Sequence, residues 1–322
     1  MKTEADMKNA IVLAAGKGTR MHSDLPKVLH QIAGMPMAEL IVRNLKECGA
    51  DRIVSVVGYR HELVEEALKG LCEFAVQEPQ LGTGHAVMCA KPLETEKGRT
   101  LVVNGDAATI SASTLSALYD SLDHADMAVL TVTLDDAASY GRVIRSEEGS
   151  VLKIVEFKDC SEEEKAVREI NTGIYAFDNQ KLFEAVKELK NDNAQKEYYI
   201  TDLVEIFRSK GWKAAAVSAA DPDEVQGVND CRELARSEAW LREKINDRHL
   251  QAGVQMPDPS HTYIGPFVKI GHDTMIYPNA FLYGSTVIGD GVTVYPGAFL
   301  RNVRVCDGAK VPAGFHENCE LR

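Results

Sequence analysis

Between residue 10 and about residue 220, short aliphatic runs alternate with stretches whose apolar positions recur at helical spacing. Ala10–Leu13, Ile53–Gly58, Leu101–Asp106, Met127–Leu134, Ile170–Phe177 and Ala214–Ala219 are mostly apolar runs of strand length, the pattern of strands covered on both faces. Between them, Met37, Leu40, Ile41, Leu45 and Cys48 share one helical face, as do Leu63, Val64, Ala67 and Leu68. This alternation predicts a doubly wound, largely parallel α/β sheet with helices on both sides. Ligands of such sheets bind beyond the carboxyl ends of the strands. The loop after Leu13 and the residue Asp106 both fall at such ends.

The pattern changes after residue 231. Residues 232–250 are charged and helix-forming, with Leu234, Leu241 and Ile245 on one stripe, and predict a connecting helix. Ile264, Ile270, Ile276, Leu282, Ile288, Val294 and Leu300 then follow six apart, with Gly265, Gly271 and Gly289 directly behind three of them. Period six predicts a hexapeptide β-helix in which each sixth residue points into a stacked core. Val268, Met275, Phe281 and Phe299 lie between these positions and are expected on the outer faces, where they favour association with further subunits. The expected division is residues 8–231, a helix over 232–252 and a short β-helix over 253–322.

With 322 residues the chain has room for two domains, and 45% hydrophobic with 26% charged residues is the balance of a globular protein. The net charge of −12 argues against a nucleic-acid surface. No run approaches the ~20 apolar residues that span a bilayer, so no membrane association is expected. The start MKTEADMKNA lacks the apolar core of a targeting signal. Seven scattered cysteines without a C-x-x-C pair point to reduced thiols, hence to the cytoplasm, and away from a zinc site.

Against this acidic background, Leu13–Met21 reads LAAGKGTRM and Leu25–Lys27 reads LPK. Gly16 and Gly18 let backbone N–H groups approach an anion, and Lys17, Arg20 and Lys27 cluster three cations on the same loop. A polyphosphate suits that arrangement. It is neither a G-x-x-x-x-G-K-[ST] loop nor a G-x-G-x-x-G turn, since Met21 stands where the third glycine is required.

Further segments follow in order: QEPQLGTGH at Gln77–His85, NGD at Asn104–Asp106, YGR at Tyr140–Arg142, IVEFK at Ile154–Lys158, INTG at Ile170–Gly173, EYYITD at Glu197–Asp202 and GVN at Gly227–Asn229. With the first motif, this set resembles the pyrophosphorylase domain of bacterial N-acetylglucosamine-1-phosphate uridyltransferases, usually bifunctional proteins that continue into a left-handed β-helix acetyltransferase domain. The resemblance covers residues 8 to about 250, and the hexads match the start of the β-helix. It implies a Rossmann-like nucleotidyltransferase fold followed by a short left-handed β-helix. The implied reaction joins UTP and N-acetylglucosamine 1-phosphate with Mg2+, in a homotrimer.

By the same resemblance, Arg20 and Lys27 face the triphosphate, and Asp106 and Asn229 hold the magnesium ion. Gln77, with Gly82 and Thr83, reads uracil. Gly141, Glu156 and Asn171 contact the sugar, with Tyr198, Tyr199 and Thr201 walling that pocket. Leu13, Ala14, Ala15, Gly16, Asn104 and Gly105 complete the substrate contacts. A reaction between two phosphates needs cations and alignment more than a side-chain base.

The chain departs from the family after Asp106, where Ala107, Ala108 and Thr109 replace a small residue, Pro and Leu; loss of the proline is expected to free a backbone angle beside the metal ligand. The later acetyltransferase coils are not matched, and His261, His272 and His316 correspond to no catalytic position, so uridylyl transfer without acetyl transfer is expected. A nucleotidyltransferase for another sugar 1-phosphate, and a catalytically silent nucleotide-sugar sensor, are the competing readings.

Overall fold

The computed structural model describes residues 6–322, which cluster into two compact units: the chain up to His30 with Met37–Asp230, and Gln31–Pro36 with Cys231–Arg322. The start of the polar amino terminus discussed above, residues 1–5, lies outside the described residues. Among those described, no helix is long and apolar enough to cross a membrane. All seven cysteines are free thiols.

The first unit is built on nine strands, β1 (Lys8–Ala14), β2 (Arg52–Val57), β3 (Glu73–Val76), β4 (Arg99–Asn104), β5 (Met127–Thr133), β6 (Arg142–Arg145), β7 (Val151–Val155), β8 (Glu169–Asp178) and β9 (Ala214–Ser218). They lie in the order β9-β5-β8-β4-β1-β2-β3, with β6 and β7 attached beside β8. Successive β1 residues feed opposite faces. Ala10, Val12 and Ala14 pack with Ile41, Leu45 and Leu115, whereas Ile11 packs with Val87, Leu182 and Phe207. Burial on both sides explains why the strand has no polar alternation.

Along this order four of the six pairings are parallel, but β8 runs antiparallel to both β4 and β5. A parallel return requires a crossover of a dozen residues or more, usually helical. Between β5 and β8 the chain instead makes the β6–β7 hairpin and a single-turn helix, Glu162–Lys165, so β8 re-enters in the opposite sense.

Strands β1 and β4 are neighbours, with Leu13 opposite Asn104. Gly105 then donates its N–H to the Leu13 carbonyl at 2.9 Å. A Cβ on Gly105 would lie 2.9 Å from that oxygen and from Val28 Cγ1, so a glycine is what lets the two strand ends meet.

In the second unit the helix Cys231–Gln251 groups with the β-helix and buries Ser237, Ile245, Asn246 and His249; Leu234, on the expected stripe, is half-buried. Three parallel sheets form the coils, one of them running from Tyr263–Ile264 through Phe281–Tyr283 and Ala298–Arg301 to Gly314–Glu317, each strand pairing with the next. Of the seven hexad residues, all but the half-buried Ile270 are buried.

A second column two residues earlier, Thr262, Val268, Thr274, Ala280, Thr286, Val292 and Ala298, is buried as well. This corrects the expectation for Val268. It is 3% exposed and fills a coil corner, whereas Met275, Phe281 and Phe299 are half-buried. The threonines of that column keep their hydroxyls paired, for example Thr274 to the Gly289 carbonyl at 2.9 Å and Thr286 to the Tyr283 carbonyl at 2.7 Å. Tyr283 pairs with Arg301, 18 residues on, but Val287 pairs with Arg304, only 17 on. The corner between them is one residue shorter and turns through Asn302 at φ 55°.

Candidate active site

Beyond β1 the chain passes through two short 3-10 turns, Thr19–Met21 and Lys27–Leu29. Gly18 has φ 69°, and a Cβ there would lie 2.4 Å from Lys27 Cβ. The glycine therefore lets the Lys27 stem cross the loop at close range. Gln80 donates to the Ala15 carbonyl at 2.5 Å and Tyr59 donates its N–H to the same oxygen at 3.1 Å, while Arg60 holds the Asp24 carbonyl at 2.7 Å.

Four site residues converge at the ends of β1 and β4. Lys27 Nζ contacts Asp106 Oδ2 and lies 3.3 Å from Asn229 Oδ1, and Arg20 Nη2 donates to the same Asn229 oxygen at 2.8 Å. The Lys27 and Asp106 side chains are 17% and 14% exposed. Lys17 turns away, its ammonium 5.2 Å from the centre of the Tyr59 ring.

A cleft of about 380 Å³ opens here, lined by Leu13, Ala15, Gly16, Lys27, Gln77, Gly82, Thr83, Asn104 and Asp106 together with Val28, Gln80, Ala86 and Glu197. Ala14 and Gly105 are not among its lining residues; Ala14 is buried in the sheet core and Gly105 joins the strand ends. The segments LGTGH and EYYITD prove to be partners. Gly84 N–H bonds the Tyr198 carbonyl at 2.7 Å, Tyr198 N–H bonds the Leu81 carbonyl at 2.8 Å, and a Cβ on Gly82 would lie 2.7 Å from the Tyr198 oxygen. The cleft also takes in Gln80 and Glu197, which the sequence does not single out because isolated polar residues in such loops give no periodic signal.

Gln77 is 5% exposed. Its amide nitrogen lies 2.9 Å from the Gly82 carbonyl and 3.2 Å from His85 Nδ1. A carbonyl can only accept, so the amide nitrogen must face it, and both N–H groups are engaged within the protein. The Gln77 oxygen is what remains for a ligand.

A second cluster adjoins the cleft. The Asn171 N–H bonds the Gly141 carbonyl at 2.9 Å, and a Cβ on Gly141 would lie 3.5 Å from a Glu156 carboxylate oxygen. Asn171 opens a bulge in β8, accepting the Gly173 N–H at 2.9 Å, and Gly173 lies directly against the Asn104 amide. Burial, followed by the charges of Asp159 and Asp202, pushes the Glu156 carboxyl above its ordinary range. Asp202 is pushed up to about 6, chiefly by burial and then by Glu205 and Asp159.

Asp106 and Asn229 present hard oxygen donors, and the Lys27 ammonium bridging them marks a point that accepts a cation. Among the described residues no group of three or more His, Cys, Asp and Glu side chains is placed to hold a metal. A divalent ion at Asp106 and Asn229 would take its remaining ligands from substrate and water, as suits magnesium. The sequence departure beside Asp106 leaves no loose loop: Ala107, Ala108 and Thr109 are all buried, and the Thr109 hydroxyl bonds the Glu224 carbonyl at 2.8 Å.

The sequence profile of the MobA-like NTP transferase domain family matches residues 10–221, and that of the bacterial transferase hexapeptide (six repeats) matches residues 267–302. A protein of Exiguobacterium sibiricum named bifunctional protein GlmU is 48% identical over 305 residues, covering 94% of this chain and 68% of the relative. Its namesake from Brevibacillus brevis is 47% identical over 306 residues, covering 94% and 66%. The chain thus spans about two thirds of the length of these relatives. Among solved structures, a Bacillus anthracis protein described as a glucose-1-phosphate thymidylyltransferase, crystallised with sucrose, superposes with a TM-score of 0.59 at 23% identity, covering 73% of this chain and 96% of that one. At that identity the likeness concerns the fold.

Proposed function

Because the chain belongs to the bacterial N-acetylglucosamine-1-phosphate uridyltransferase family, we propose that its first unit transfers a uridylyl group from UTP to N-acetylglucosamine 1-phosphate, with magnesium as the divalent ion. The observation that carries this reading is the convergence of Arg20, Lys27, Asp106 and Asn229 at the ends of β1 and β4.

In the transfer, an oxygen of the sugar phosphate attacks the α-phosphorus of UTP and the bond from that phosphorus to the β-phosphate oxygen breaks, releasing pyrophosphate. The attacking phosphate is ionised near neutral pH, so no side chain has to remove a proton. Asp106 and Asn229 would hold magnesium, which would supply positive charge that offsets repulsion between the two phosphates. Lys27 and Arg20, freed from Asp106 and Asn229 as substrate binds, turn to the triphosphate and stabilise charge on the departing pyrophosphate. Gln77 offers its oxygen to the N3–H of uracil. Asn171 and Glu156 hold the sugar against Gly141, which leaves room for the ring.

We assign uridylyl transfer alone to these residues. His261 is held by Asp258 and His272 lies between Asp273 and Asp290, while His316 sits in register with the inward Leu300. For assembly we propose a homotrimer through the β-helix. Tyr263, Phe281, Phe299 and Phe315 stack in one column, with Phe315 67% exposed. Light scattering tests this, and a monomer at micromolar concentration refutes it.

Pyrophosphate release, measured with four nucleoside triphosphates crossed against several sugar 1-phosphates, tests the reaction. The reading requires magnesium-dependent release that is greatest with UTP and N-acetylglucosamine 1-phosphate. Equal turnover of glucose 1-phosphate or TTP would refute the specificity, and nucleotide-sugar binding without release would make the protein a sensor. Thiol release from acetyl-CoA dependent on glucosamine 1-phosphate would refute the assignment of one activity.

A further inference from the structure

We propose that Thr109 and Glu224 are positioning residues that set the spacing of the Asp106 carboxylate and the Asn229 carboxamide, and so the affinity of the site for a divalent cation. The inference rests on the metal-dependent transfer proposed above.

The two oxygen donors come from distant parts of the chain, Asp106 from the loop after β4 and Asn229 from the loop after β9. Neither donor sits within a strand or helix, so nothing in the local backbone repeat fixes their separation. A small divalent ion with only two protein ligands is sensitive to that separation.

The loops are tied at two levels. Near the donors, Val228 N–H bonds the Asp106 carbonyl at 3.1 Å. Further back, the Thr109 hydroxyl donates to the Glu224 main-chain oxygen at 2.8 Å, and the Glu224 carboxylate accepts the Ser111 N–H at 2.9 Å and the Thr114 hydroxyl at 2.6 Å. Ser111 and Thr114 belong to the start of the helix Ala112–Ser121, which Ser111 caps. Glu224 therefore grips the far end of the Asp106 loop, while its own loop carries Asn229 five residues on. Thr109 and Glu224 are 4% and 8% exposed, so water does not readily replace these bonds.

The brace restrains the loop that lacks the proline expected from the resemblance. A proline restrains a loop by fixing one backbone angle. Here Ala107 and Ala108 pack into the interior and the hydroxyl of Thr109 supplies a restraint from outside the loop.

The test uses the full chain with UTP, titrated with Mn2+ and followed through the resonance of free Mn2+, alongside the Mg2+ dependence of turnover. Thr109→Val keeps the side-chain volume but leaves the Glu224 carbonyl unpaired; Thr109→Ser keeps the donor. Thr109→Val, acting one contact further out than a direct partner of a metal ligand, is expected to weaken Mn2+ binding about tenfold, the lower end of what losing such a partner costs. Excess Mg2+ should restore most of kcat, the KM for the sugar 1-phosphate should stay unchanged, and Thr109→Ser should bind Mn2+ as the wild type does. A purely structural role would lower the melting temperature without moving the Mn2+ affinity.

A folded Thr109→Val protein with wild-type Mn2+ affinity overturns the proposal. Should that variant not fold, Glu224→Asp, which shortens the same brace, decides by the same measure. A wild-type chain that binds no Mn2+ beside UTP would overturn the metal-dependent reading itself.

Discussion

Substitution of Lys27 by methionine separates two roles that one side chain holds. The ammonium contacts Asp106 Oδ2 and lies 3.3 Å from Asn229 Oδ1, so before substrate arrives a fixed cation already occupies the two oxygens assigned to the metal. A free divalent ion must displace it, whereas a metal–nucleotide complex offers Lys27 a phosphate in exchange. Two unit charges about 4 Å apart attract by about 4 kcal/mol at an effective dielectric near 20. Desolvation of this largely buried pair offsets much of that attraction. A residual competition of about 1.4 kcal/mol corresponds to a tenfold change in affinity. Lys27→Met should therefore bind Mn2+ without nucleotide about tenfold more tightly than the wild type, yet lose about 10²–10³ in kcat for want of a cation beside the leaving group. The free-Mn2+ resonance measures the first effect and pyrophosphate release the second. If the nucleotide-free wild type binds Mn2+ as well as the variant does, Lys27 does not guard the metal oxygens.

Arg20→Ala should lower kcat by about 10²–10³ with little change in substrate affinity, because its charge matters most as pyrophosphate departs; a change confined to KM would remove it from the transition state. Gln77→Leu should erode the preference for UTP over CTP by about tenfold or more, since the glutamine oxygen answers an N3–H that cytosine lacks; an unchanged ratio in competition assays would place base selection elsewhere. Asp202 is raised from its ordinary value of 3.8 to about 6, so the native state keeps its proton longer than the unfolded chain. Stability is then lost as pH rises through that window, and Asp202→Asn should melt above the wild type at pH 8 but with it near about pH 3.5. A melting difference that does not vary with pH counts against the shifted carboxyl.

The strands of the first unit are legible because burial on both faces leaves mostly apolar runs such as Ile53–Val57, interrupted by Ser55, and Met127–Val132, interrupted by Thr131. The reversal of β8 is not legible, since its buried run Ile174–Phe177 is as apolar as the strands on either side and its direction depends on the hairpin before it. In the β-helix the large aliphatics announce their period, but the second buried column alternates Thr, Val and Ala, whose small size hides an equal regularity. That is why Val268 reads as an outward residue from sequence. At the candidate site, glycines and cations carry strong local signals, while Gln80 and Glu224 act through contacts 65 and 115 residues away, and Glu197 lies against the distant Gly82. The loop after Asp106 reads as loosened because its restraint comes from across the fold.

The shortened corner at Asn302 bears on how such a chain varies over evolutionary time. In an ordinary two-faced sheet, loss of one residue within a strand exchanges the inner and outer faces beyond it. Here the residue count falls from 18 to 17 between successive coils, yet Ile288 still stands opposite Val305 and both remain inside. The left-handed turn at Asn302 takes up the missing residue, and its side-chain oxygen accepts the Ser285 N–H at 3.0 Å. Single-residue deletions at corners are therefore silent for the stacking, while the same deletion inside a two-residue strand would break the column. Alignments of this region should accumulate gaps at corners and almost none between them, so that a mutational history written in lengths records the three-sided cross-section.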